Sequence, residues 1–149
     1  MVQQSPLVAP FAAVNESVWE HLKLAFWPAL VWAYIERRPL LGRVNNFLLA
    51  KGLSITLMPL LIIVFFYGYT SVLGDNLLVL DMSTFVAAVI LCQWLSYHLL
   101  TSGERSPAAN LSAAMLVVAF AILFVIFTFV APHVGLFRDG PSGMYGILH

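Results

Sequence analysis

The sequence predicts an all-α fold, a polytopic membrane helical bundle of four transmembrane helices with both termini extracytoplasmic. Three observations lead there. Hydrophobic residues make up 61% of the chain and charged ones 9%, where a soluble domain carries about 25% charge. The chain divides into four candidate spans, at about 17–36, 47–73, 82–101 and 111–131, each close to the ~20 residues that cross a bilayer. The apolar part of the first, Leu24 to Ile35, is too short to cross alone, so Glu20, His21 and Lys23 lie near or inside the membrane boundary. The connectors are too short for a separate soluble domain, so residues 1–149 read as one unit with antiparallel neighbours and a C-terminal loop, 132–149.

The first fourteen residues lack a basic start and contain Pro6 and Pro10, so they read as an extended leader rather than a cleavable signal. In the first span, Ser17 and Glu20 fit the S-x-x-E capping box, which is the purely structural account of Glu20. Pro28 predicts a bend about a turn beyond Lys23. Glu36, Arg37, Arg38, Pro39 and Gly42 end the span. The second span stops at Gly74, with Lys51 in its first turn reaching for the interface and Pro59 a second kink site. The stretch DNLLVL is apolar for a loop and reads as skimming the interface, with the third helix starting after Asp81. Gly103 and Asn110 bracket the next break, Asn110 as cap, and Pro132 ends the fourth span. Ser83, Ala87, Ala113, Ala114 and Ala121 are the expected small-residue packing positions. The aromatics Trp19, Trp27, Trp32, Trp94, Tyr34, Tyr67, Tyr69 and Tyr97 supply the interfacial belts. His98 reads as a satisfied histidine at a helix end.

Basic residues set the orientation. Arg37, Arg38, Arg43 and Lys51 flank the first connector and Arg105 lies in the third, whereas the second has Asp75 and Asp81 and no cation. Short cytoplasmic loops are enriched in Lys and Arg, so the first and third connectors face the cytoplasm. The start of the first helix, Asp81 and the residues after Pro132 then share the extracytoplasmic end.

Ionisable side chains converge at that end. Glu16, Glu20 and Lys23 fall on one stripe of the first helix and Ser17 and His21 on the next. His133, Arg138 and Asp139 follow the fourth span. Charges at membrane depth are costly and turn inward to pair. Glu16, Glu20, His21, Lys23, Asp81, His133, Arg138 and Asp139 therefore form the candidate ligand-binding pocket. Carboxylates with imidazoles suit a divalent metal such as zinc, with Glu16, Glu20, His21 and His133 as the ligand set, although no compact metal motif is present. Bis-imidazole haem ligation by His21 and His133 ranks behind zinc. Salt bridges and caps account for the same residues without any ligand.

Zero net charge and dispersed basic residues exclude a nucleic-acid partner. Cys92, the lone cysteine, excludes an intrachain disulfide and a cysteine metal cluster. No nucleophile–base pair, phosphate loop or cofactor fingerprint names a reaction. In the tail, Met144, Tyr145, Ile147 and Leu148 are placed to fold back onto the bundle, and His149 is terminal.

The runs NESVWEHLKLAFWPALVWAYIE, QWLSYHLL and FTFVAPHVGLFRDGPSGMYGI resemble an uncharacterised family of small bacterial integral membrane proteins, a domain of unknown function. The resemblance covers the chain from Phe11 onward. It implies a multi-pass protein of a bacterial cytoplasmic membrane, of Gram-positive type, and transfers no activity. Members often carry another apolar segment before the NESVWEH run, where this chain has a short leader. A missing span or truncated start would change the bundle and the side of the N-terminus.

Two functions are compatible with these residues. One is a membrane protein with an extracytoplasmic-side pocket for a metal or small ligand. The other is a structural or accessory subunit of a larger membrane complex, or a homo-oligomer, with no chemistry of its own. A ligand pocket requires polar side chains left unpaired by the protein. An accessory subunit requires that they satisfy one another.

Overall fold

A computed structural model describes residues 8–40 and 42–146. Four long helices account for most of them: α1 (Val18–Leu40), α2 (Phe47–Leu73), α3 (Leu78–Thr101) and α4 (Pro107–Phe129). A short 3-10 turn at Gly135–Phe137 follows. The chain is all-helical, and α2, α3 and α4 are long and apolar enough to cross a membrane. α1 is not among those three.

The helix ends follow from local chemistry. Ser17 caps α1, its Oγ accepting from the Glu20 amide at 3.4 Å. The helix then runs through Pro28 and Pro39 without a break. It passes the expected end at Glu36 and takes Arg37 and Arg38 into its last turn, where cations suit the helix dipole. α2 ends as the sequence requires: Gly74 adopts φ 79° and its amide donates to the Thr70 carbonyl.

Two helix starts differ from the sequence expectation. α3 begins at Leu78, so the stretch read as an interfacial connector supplies its first turn, with Asp81 inside that turn. α4 begins at Pro107, with the Ser106 side chain accepting from Ala109 N. Proline fits the first helical position because its missing N–H would be unpaired there anyway. Asn110 is thereby inside the helix, and its Oδ1 accepts from the Leu49 amide of α2 at 3.0 Å.

α2 is the central helix. α1, α3 and α4 each pack against it, and half of its most apolar stretch is buried, against 11% in α3 and 17% in α4. The α2–α4 seam closes on glycine. A Cβ at Gly52 would lie 2.7 Å from the Ala113 carbonyl oxygen, so the backbones meet directly, as small residues permit. On α3 the buried stripe is Ala88, Cys92 and Ser96. Ser83 is exposed and Ala87 half-buried, because the rotation of α3 about its axis turns the expected pair toward the rim of the seam.

The aromatic core lies at the N-terminal end of α1. Trp19 packs on Phe124 at 4.7 Å, Phe137 at 4.8 Å and Phe127 at 5.5 Å between ring centroids. It is buried rather than placed in an interfacial belt. Trp32, Trp94, Tyr34, Tyr67 and Tyr97 are exposed, consistent with that role. Phe137 and Tyr145 bring the C-terminal loop onto the same core. Ile147, Leu148 and His149 lie outside the described residues, as do residues 1–7 of the leader.

Candidate functional site

The site is built where residues 8–16, the start of α1, the end of α4 and the C-terminal loop meet. Its centre is Lys23, fully buried on α1. Its ammonium lies 2.6 Å from Glu20 Oε2, with side-chain exposures of 0% and 4% for the two partners. It also donates to the Ala9 carbonyl at 2.9 Å and to Thr128 Oγ1 on α4 at 2.7 Å. An ammonium has three protons, so its donor capacity is filled. Thr128 Oγ1 in turn donates to the Phe124 carbonyl at 2.7 Å. Glu20 Oε2 accepts in addition from the Val14 amide at 2.9 Å.

The same contacts fold residues 9–14 of the leader over α1. The Ala9 and Val14 backbones are held by the ion pair, and Trp27 Nε1 donates to the Pro10 carbonyl at 2.9 Å. The capping box is consequently half formed. Ser17 Oγ caps Glu20, but the Glu20 carboxylate turns to Val14 and Lys23, and Asn15 Oδ1 accepts the Ser17 amide at 2.9 Å instead.

Asp139 joins the C-terminal loop to this end. Its Oδ1 accepts from the Glu16 amide at 2.8 Å, and its Oδ2 accepts from the Ser142 amide and hydroxyl. Those hydrogen bonds, the Ser142 hydroxyl first, hold the Asp139 carboxyl below the usual carboxylate range. Asn15 Nδ2 adds a bond to the Gly146 carbonyl at 2.8 Å. The loop is thus tied to the start of α1 at two points.

The remaining members of the predicted pocket separate. Glu16 and His21 face each other at 3.6 Å on the exposed side of α1, and His21 Nδ1 donates to the Ser17 carbonyl at 2.9 Å. The His133 ring lies against Tyr145, 4.8 Å between centroids. Arg138 pairs through its backbone with Tyr145 in an isolated bridge. Asp81 stays at the α2–α3 connector, where it accepts from the Tyr69 hydroxyl and from Asn76. Among the described residues, no group of three or more His, Cys, Asp and Glu side chains is arranged to hold a metal ion.

At the opposite end, Lys51 does not extend to the interface as expected. It is buried and pairs with Glu36 of α1 at 2.5 Å. Asn46, ahead of α2, was not singled out in the sequence. It adopts the left-handed conformation at φ 56°, which asparagine tolerates better than most residues. Its Nδ2 donates to the Leu99 and Gly103 carbonyls, and its Oδ1 accepts from the Arg105 amide at 2.7 Å. The first and third connectors are clamped together by this side chain. The signal available beforehand was the Asn45–Asn46 pair opening a long apolar run. His98 is exposed, its ring 4.4 Å from Trp94.

Neither the curated proteins nor the solved structures include a match to this sequence. A family model does match it, over residues 1–147, and covers the leader, the four helices and the tied C-terminal loop alike. The chain therefore belongs to DUF6512, a family of unknown function.

Proposed function

We propose that this protein is a structural or accessory subunit embedded in a membrane, and that its buried polar cluster locks the fold rather than binding a ligand. The observation carrying this reading is the saturation of Lys23, whose three protons have three partners within the chain. Glu20 and Asp139 are likewise engaged by the protein itself. A ligand site would present unfilled donors or acceptors.

α1 is read as the fourth span. Pairing Glu20 with Lys23 removes much of the cost of bringing either charge to membrane depth. Both termini are then extracytoplasmic, the Asn46 clamp is cytoplasmic, and the membrane is the bacterial cytoplasmic membrane. The complex would be a homo-oligomer or a larger membrane assembly.

The second reading, a metal or small-ligand site, has one observation in its favour. Glu16 and His21 are paired yet exposed. They supply two donors, whereas protein sites for zinc supply three or four. The charge-free variant Glu20→Gln/Lys23→Met separates the readings. For a lock, the variant inserts, keeps its complex size by native mass spectrometry, and elemental analysis finds no stoichiometric metal in either form. A bound metal or ligand that is present in the wild type and lost from a folded variant would overturn the proposal.

A further inference from the structure

Between the connector-proximal ends of α2 and α3 lies a groove of about 600 Å³, open at the side and walled by Val64, Phe65, Leu80 and Ala87. Gly68 forms its floor, where an added Cβ would meet nothing within 4 Å. The volume falls within the range of small-molecule sites, about 300–1,000 Å³. From Leu80 to Ala87 the wall is about 10 Å long at the 1.5 Å helical rise, which suits the upper part of an extended acyl chain. At its upper rim, Tyr69 hydrogen-bonds Asp81, and Asp75 is exposed in the connector.

The charges at the rim discriminate between headgroups. From residue 52 to residue 104 the sequence contains no Lys or Arg, so a headgroup of net negative charge finds no counter-charge on either wall, whereas a zwitterionic one brings its own cation to its phosphate. Asp75 and Asp81 offer negative charge, and a carboxylate has room for about four donors. Tyr69 and Asn76 fill only part of the capacity of Asp81.

We infer that this groove binds one acyl chain of a phospholipid with an ammonium headgroup, phosphatidylethanolamine in chemical type, the ammonium resting on Asp81 and Asp75. The inference rests on α2 and α3 lying in a bilayer, as in the proposed function, and does not depend on the accessory-subunit role.

The full chain is reconstituted in vesicles of equimolar phosphatidylethanolamine and phosphatidylglycerol with identical acyl chains. It is then extracted mildly, and the retained lipid is measured by mass spectrometry. Phosphatidylethanolamine is expected to be enriched about fivefold over input, the ratio that one charge pairing near a membrane surface supports. Asp75→Asn/Asp81→Asn should return the ratio to that of the input while lipid is still retained. Gly68→Leu, a good helix former filling open space, should lower the retained lipid without lowering the thermal midpoint. An input-like ratio in the wild type, enrichment of phosphatidylglycerol, or unchanged retention in Gly68→Leu would overturn the site. A chain that alkaline washing strips from the vesicles would instead overturn the membrane assignment itself.

Discussion

Replacing Lys23 by Met should be among the most damaging single changes in the protein. The side chain is fully buried, and Met fills similar volume, so the loss is electrostatic rather than steric. The substitution leaves Glu20 as a charge in a site with 4% side-chain exposure, and breaking a buried pair in this way costs about 3–5 kcal/mol. For a chain of this size each kcal/mol moves the midpoint by about 2–4 °C, so a fall of about 6–20 °C is expected. Removing the second charge should reverse most of it. In Glu20→Gln/Lys23→Met the amide oxygen can still accept from Val14, and replacing a whole buried pair is often neutral or stabilising by about 1–4 kcal/mol. Thermal unfolding of the four members of the cycle in one detergent, followed by tryptophan fluorescence, measures the coupling directly. Trp19 and Trp27 lie beside the pair on the same helix. A silent Lys23→Met, or a double variant as damaged as the sum of the singles, would refute the argument that a dry, mutually dependent ion pair holds this end together.

Three further outcomes follow from the packing and the connectors. Gly52→Ala places a Cβ 2.7 Å from the Ala113 carbonyl oxygen and should destabilise by about 1–3 kcal/mol through overpacking. Gly68→Ala, in open space, should stabilise by about 0.5–1 kcal/mol on helix propensity, and equal midpoints for the two variants would contradict the close α2–α4 seam. Asn46→Gly should lose the clamp hydrogen bonds, and Asn46→Ala should lose about 1–2 kcal/mol more because alanine must hold φ 56°. Chemical denaturation of both variants reads that difference. The depressed Asp139 carboxyl contributes stability fully present above the unfolded carboxylate pKa of about 3.9, and lost as pH falls through the lower folded value. Protection of the Glu16 and Ser142 amides from hydrogen exchange, taken relative to the intrinsic rate at each pH, should therefore fall as the pH drops below about 4. Asp139→Ala should produce the same loss of protection at neutral pH.

The sequence by itself determined the class, the number of long helices and most of their ends. These are local properties: apolar run length, the Gly74 stop, and the Ser17 cap each depend on neighbours within a few residues. It also placed Glu20, Lys23 and Asp139 at one end, because helix periodicity and span order bring them there. Tertiary structure decided the partners. Nothing in the chain order indicates that Lys23 meets Ala9 and Thr128, that Asp139 caps the Glu16 amide, or that Lys51 turns inward to Glu36. Nor does local pattern select Ala88, Cys92 and Ser96 over Ser83 and Ala87 as the packed face of α3. The polar residues of α3, among them Asp81, Ser83, Thr84, Gln93, Ser96 and His98, fall on no single face of the helix, so its sequence carries almost no periodic signal to set the rotation. Only the approach of α2, with glycine admitting the α4 backbone at Ala113, fixes which faces close and which polar groups find each other.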